Sequence, residues 1–199
     1  HDLDRDGRDE IIIGCTNGIH IYKMRGGKLV RIAESIELRE TVVCIAIADI
    51  DKDGKYEIIV VVKGKPRIII FRYDGKLILL KSEIMKYPVH CVAAGDTDGD
   101  GYPEVIVKTH SPQGCRLHVL SFKGGDRHEK WSSHIPDAVK GFLRVADFDK
   151  DGKHEIVIGC TGGRVRVLRH ESKTYKRFWD SPVHSHGVKD VAIYDIDGD

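Results

Sequence analysis

Five times along its length the chain sets aspartates at alternating positions and follows them with a glycine. Four copies are complete: Asp2-Leu3-Asp4-Arg5-Asp6-Gly7-Arg8-Asp9-Glu10, Asp49-Ile50-Asp51-Lys52-Asp53-Gly54-Lys55-Tyr56-Glu57, Asp96-Thr97-Asp98-Gly99-Asp100-Gly101-Tyr102-Pro103-Glu104 and Asp147-Phe148-Asp149-Lys150-Asp151-Gly152-Lys153-His154-Glu155. A fifth, Asp195-Ile196-Asp197-Gly198-Asp199, stops at the last residue. The first aspartates lie 47, 47, 51 and 48 residues apart. Self-similarity at such a period means a modular array, in which each unit buries its faces against its neighbours. The expectation is therefore one array over residues 1–199, with repeat loops beginning at 2, 49, 96, 147 and 195. Both termini fall inside a loop motif, so the stretch reads as part of a longer array.

Carboxylates at positions one, three, five and nine of one loop repel each other unless a hard cation sits among them. Oxygen-only donors at alternating positions suit calcium, which takes six to eight oxygens at about 2.3–2.6 Å. Alternation lets positions one, three and five converge, because successive side chains of an extended segment point opposite ways. Glycine at position six permits the turn around the ion. The candidate ligands are Asp2, Asp4, Asp6 and Glu10; Asp49, Asp51, Asp53 and Glu57; Asp96, Asp98, Asp100 and Glu104; and Asp147, Asp149, Asp151 and Glu155. Seventh-position residues Arg8, Lys55, Tyr102 and Lys153 complete each set through a backbone carbonyl. Helix-based calcium loops close at position twelve and run into a helix. Here the closing carboxylate is at nine and β-branched residues follow, which excludes helix-based sensing. The first, second and fourth loops carry two cations each (Arg5 and Arg8, Lys52 and Lys55, Lys150 and Lys153), whereas the third has Gly99 and Tyr102. The third is expected to bind most tightly.

Between the loops the pattern is strand, turn, strand. The second repeat is the clearest, with strands over Glu57–Val62, Arg67–Tyr73, Leu77–Ile84 and Val89–Gly95 separated by glycine-containing turns. No stretch keeps helical periodicity over ten residues. Runs such as Ile58-Ile59-Val60-Val61-Val62 are apolar throughout, so their sheets must be covered on both faces. The fold class is all-β. Four-stranded sheets of about 48 residues, stacked face to face, describe a β-propeller with about four repeats present. Val188–Tyr194 reads as a surplus first strand. It either closes a four-bladed ring or begins a fifth blade, and the duplicated half-loops favour the second.

Lys and Arg number 32 against 31 Asp and Glu. That balance leaves no electrostatic footprint for nucleic acid, and no apolar run is long enough to span a membrane. Four of the five cysteines recur in register, Cys44 and Cys91 before loops and Cys15 and Cys160 after them, as small buried strand residues do. Of the histidines, His184-Ser185-His186 is the tightest cluster, with His90, His110 and His134 elsewhere and no zinc-site spacing among them. Ser111, Ser132 and Ser133 lack a nucleophile-elbow context. Trp131 and Trp179 are read as strand residues packing between blades.

The four loops and their strand spacing resemble the FG-GAP/VCBS repeats of integrin-α-type β-propellers, over essentially the whole chain. The resemblance implies calcium loops joining the first and second strands of each blade, with the ligands named above. The Phe-Gly and Gly-Ala-Pro signatures of integrins are absent, the corresponding segments being Val42-Val43-Cys44 and Gly159-Cys160-Thr161. That favours a generic VCBS-like propeller over an integrin subunit. Two function classes follow: a non-catalytic scaffold for a protein or glycan, or the propeller domain of a carbohydrate-active enzyme such as a polysaccharide lyase. Calcium loops lean toward an extracellular or cell-surface setting, and free cysteines lean against it. The connections opposite the calcium loops are the more varied, and they carry Tyr87, His110, Gln113, His184 and His186. Loops on a rigid scaffold collect binding residues, so that face is where a partner is expected.

Overall fold

The computed structural model describes residues 1–35, 38–185 and 188–194. Fifteen strands fill it: β1 (Ile11–Cys15), β2 (Gly18–Arg25), β3 (Lys28–Glu34), β4 (Val42–Ala48), β5 (Glu57–Val62), β6 (Arg67–Tyr73), β7 (Leu77–Ile84), β8 (Val89–Gly95), β9 (Glu104–Ser111), β10 (Gly114–Ser121), β11 (His128–Ile135), β12 (Ala138–Ala146), β13 (Glu155–Cys160), β14 (Arg164–Glu171) and β15 (Thr174–Asp180). The one helical element among the described residues is a 3-10 turn at Thr161–Gly163. All pairings are antiparallel between strands adjacent in sequence. They give one three-stranded sheet, β1-β2-β3, and three four-stranded sheets, β4–β7, β8–β11 and β12–β15.

The sheets stack in chain order, and β5 shows why its sequence is apolar at every position. Ile58, Val60 and Val62 pack with Ile19 and Ile21 of the first sheet. Their alternate neighbours, Ile59 and Val61, pack with Val105 and Val107 of the third. In β9, Ile106 turns the other way, onto Leu143, Ile156 and Ile158 of the fourth. A strand with a sheet on each face has no side to leave polar. Burying one such Ile or Val contributes about 1.5–3 kcal/mol. Apolar contact between sheets, summed over dozens of side chains, therefore outweighs what any single loop ion supplies.

The expected second-repeat strands coincide with β5–β8. The surplus strand does not form: residues 188–194 pair with no sheet. Val188, Val191 and Ile193 instead lie across Phe142, Val157 and Val167 on the outer face of the fourth sheet. A strand needs a ladder partner, and that face offers only side chains. The fifth loop, Asp195–Asp199, and His186 lie outside the described residues. Trp131 does pack between sheets, its ring 5.0 Å from that of Tyr175. Trp179 is half exposed at the outer edge.

Candidate metal centre

The second, third and fourth loops each join the first strand of a four-stranded sheet to the second (β4 to β5, β8 to β9, β12 to β13), and the first loop leads into β1 of the three-stranded sheet. The third loop, between β8 and β9, shows the design. Both oxygens of Asp96 accept backbone N–H groups, from Gly99 at 2.8 Å and Gly101 at 2.8 Å, winding the chain round the first aspartate. The fifth-position carboxylate, Asp100, accepts the N–H of Tyr102 at 2.9 Å. Glu104 is fully buried, and its Oε2 accepts both the N–H and the hydroxyl of Thr97 at 2.8 Å. The other loops repeat these bonds: Gly7, Gly54 and Gly152 donate to Asp2, Asp49 and Asp147. Arg8, Lys55 and Lys153 donate to Asp6, Asp53 and Asp151. Leu3, Ile50 and Phe148 donate to Glu10, Glu57 and Glu155.

Position six takes φ between 84° and 87° in all four loops, the left-handed region that favours glycine. Position four is left-handed as well, at Arg5, Lys52, Lys150 and Gly99. Only the third loop meets that demand with glycine.

Carboxylate oxygens converge in every loop. Those of Asp2, Asp4 and Asp6 lie within 4.8 Å of one another, as do those of Asp49, Asp51 and Asp53, of Asp96, Asp98 and Glu104, and of Asp147, Asp149 and Glu155. Asp49 Oδ1 is buried with no hydrogen-bond partner. An all-oxygen donor set of this density fits a hard divalent cation. All sixteen expected carboxylates stand in these loops, and twelve of them are in the convergent groups. At position seven, the Lys55 side chain pairs outside its loop with Asp74 at 3.1 Å, and the Tyr102 ring lies 4.1 Å beneath the Lys123 ammonium.

Sequence reasoning missed a second half of each centre, a cation delivered from the sheet. Lys23 reaches Asp4, Asp6 and Glu10 at 2.5, 2.7 and 3.2 Å. Arg72 reaches Asp51, Asp53 and Glu57 at 3.2, 2.8 and 2.5 Å. Lys130 reaches Asp98, Asp100 and Glu104 at 2.6, 3.2 and 2.8 Å. Arg169 reaches Asp149 and Glu155 at 2.7 and 2.9 Å. Burial opposes the charge on Lys23 and Lys130, yet hydrogen bonds to their carboxylates outweigh it and raise both pKa values. Burial pushes Glu57 up to about 7 in spite of Arg72.

The signal was cross-strand register. Arg72 is the ladder partner of Glu57. One step past Ile11↔Tyr22 and Ile156↔Leu168 come Glu10 opposite Lys23 and Glu155 opposite Arg169. In the third unit that position holds Ser121, and Lys130 arrives instead from β11, where the register shifts. The third loop also gathers Lys123, 3.6 Å from Asp100, and the stem of Lys153, 3.0 Å from where a Cβ on Gly99 would stand. Counting cations inside each loop therefore gives no basis for ranking the third as tightest.

A family model described as an FG-GAP-like repeat matches residues 2–60 and again 49–107, together more than half of the chain. The chain belongs to the FG-GAP-like repeat family. No curated protein matches it. The two matched FG-GAP-like repeats contain the first three loops, and the fourth loop, beyond them, repeats the same hydrogen bonds.

The other end of the stack carries the varied connections, and the structure sorts the residues expected there. Tyr87 and Gln113 line one cavity of about 510 Å³ with Arg116, His118, Glu129 and His134. Its polar groups are fixed by one another. His118 Nδ1 lies 2.8 Å from Glu129, and its Nε2 lies 3.1 Å from the Thr109 hydroxyl. His110 sits elsewhere, 3.5 Å from the Cys115 sulfur and ring to ring with His90 at 5.7 Å. His184 lines a separate apolar groove with Phe178 and Trp179.

Proposed function

We propose that the chain is a calcium-binding scaffold of propeller architecture, residues 1–199 forming one array, that holds a protein or glycan ligand on the face opposite its metal loops. The observation that carries this reading is the fourfold recurrence of one loop geometry at one end of the stack, with a polar cavity that runs from Tyr87 and Gln113 at the other end along the third sheet to Glu129. In each loop the carboxylates at positions one, three, five and nine would hold the ion, with the seventh-position carbonyls of Arg8, Lys55, Tyr102 and Lys153. Calcium there neutralises the clustered carboxylates and ties each connection between first and second strands. The built-in cations Lys23, Arg72, Lys130 and Arg169 already neutralise part of that charge, and they compete with the ion for the same oxygens.

At the opposite end, Tyr87 supplies a ring for stacking. Gln113, Arg116 and His134 supply hydrogen bonds suited to hydroxyl-rich or peptide ligands. The test is a glycan array and an interaction screen with the calcium-loaded chain, repeated with the double variant Tyr87→Ala/Gln113→Ala. Loss of binding with an unchanged calcium-dependent melting curve supports the assignment. Binding that survives this change but disappears on substituting Lys55 and Tyr102 places the ligand on the loop face and refutes it.

A further inference from the structure

Cys44 and Cys91 occupy the same place in two successive repeats, on the first strands β4 and β8, which pack against each other. Both follow a register shift: β4 slips against β5 between Val42 and Cys44, and β8 slips against β9 between Val89 and Cys91. A bulge inserts an unpaired residue and re-aims the next side chain. Here two such bulges turn the two sulfurs onto one another, Sγ to Sγ 2.8 Å. The Cys44 sulfur is further fixed by the N–H of Val92 at 3.3 Å. Behind the pair lies Lys108, fully buried, its ammonium donating to the carbonyls of Gly141 and Phe142 at 2.6 and 2.8 Å.

We propose that Cys44 and Cys91 form a redox site: a thiol pair that hydroperoxides oxidise to a disulfide joining the second and third sheets. Chemistry and access both favour it. The hydrogen bond from Cys44 holds the Cys91 thiol below its ordinary range, and the charge of Lys108 adds to this. Cys44, which keeps the proton, is the more exposed of the two and opens the path to solvent. The Cys91 thiolate attacks one peroxide oxygen, the O–O bond breaks, and hydroxide leaves, giving a sulfenic acid on Cys91. The Cys44 sulfur then attacks the Cys91 sulfur, the S–O bond breaks, and water departs with the Cys44 proton. Two electrons pass from the sulfur pair to the peroxide, so no other oxidant is needed. Cys115 and Cys160 are buried in the same apolar cluster as Cys91, Cys115 with its sulfur 3.5 Å from His110, and Cys15 lies on β1 beside His20. The crosslink would fix the start of β8, three residues after the connection that carries Tyr87.

The experiment treats the native chain with hydrogen peroxide, quenches it, denatures it and counts thiols, followed by intact mass and peptide mapping. The expected result is a fall from five free thiols to three, a mass about 2 Da lower, and a linked Cys44–Cys91 peptide pair. Cys44→Ser should abolish the linked pair, while Cys15→Ser should leave it intact. Five thiols persisting under peroxide, oxygen addition to Cys91 in place of the crosslink in the native chain, or linkage through any other cysteine would overturn the proposal. Mapping on the unaltered chain decides the matter even where a substitution disturbs folding.

Discussion

Replacing Arg72 with methionine separates what the built-in cation does from what calcium does. Its guanidinium is 16 % exposed and touches three carboxylates of the second loop, one of them Glu57, which is 1 % exposed. Removing one partner of a buried charged network costs about 3–5 kcal/mol, because the remaining charge is left unpaired. At the lower end, about 3 kcal/mol, the melting temperature of a chain this size falls by about 6–12 °C. That is the expectation in chelator. With calcium present the sign of the effect changes. A unit charge about 4 Å from another at an effective dielectric of about 20 interacts by about 4 kcal/mol, and a divalent ion doubles this to about 8 kcal/mol of repulsion from Arg72. The arginine escapes most of that by swinging into solvent. Retaining even a sixth, about 1.4 kcal/mol, weakens calcium binding tenfold. Arg72→Met should therefore melt well below the unaltered chain in chelator, and the gap should close or reverse at saturating calcium. Scanning calorimetry under both conditions reads the crossover. An identical gap in chelator and in calcium would show that arginine and ion do not share the site.

Other consequences follow from single positions. Gly101→Ala meets no atom within 4 Å but must hold φ at 84°, so only backbone strain acts; it should cost about 1–2 kcal/mol in a denaturant titration. Lys108→Met removes the donors to Gly141 and Phe142, and the stranded carbonyls should lower stability by about 2 kcal/mol, checked in the same titration. The bidentate contact of Arg166 with Asp180, at 2.7 and 2.9 Å, holds the Asp180 carboxyl below its ordinary 3.8. A depressed acid lends stability above its unfolded pKa and loses it as the pH falls through the folded one. Arg166→Met should therefore flatten the melting curve's dependence on pH between about 5 and 2.

The fold was legible because the sequence carries two independent periods, a loop near every 48 residues and all-apolar strands between. The runs in β5, β9 and β13 announced sheets covered on both faces, and those strands are buried at nearly every residue. The loop carboxylates were legible from spacing alone, since ligand convergence in a turn is a local matter. The cations of the centre were not. Arg72 becomes part of the second loop only through its ladder partnership with Glu57, and Lys130 only through a bulge in the third sheet. The meeting of Cys44 with Cys91 likewise depends on two bulges and on the packing of one sheet against the next. Residues 188–194 misled for the complementary reason. Their alternation is that of a strand, but a strand is a relation to a neighbour, and their neighbours here are the side chains of Phe142, Val157 and Val167.

The most direct test of the account is the calcium stoichiometry of the unaltered chain. Metal is stripped with chelator, the chain is titrated calorimetrically, and retained ions are counted by elemental analysis after dialysis. Four convergent carboxylate groups predict about four ions per chain, with a melting temperature that falls in chelator and recovers when calcium returns. A chain that retains no calcium, and melts at the same temperature with and without it, would show that Lys23, Arg72, Lys130 and Arg169 have replaced the ion. The metal-binding account would then be wrong.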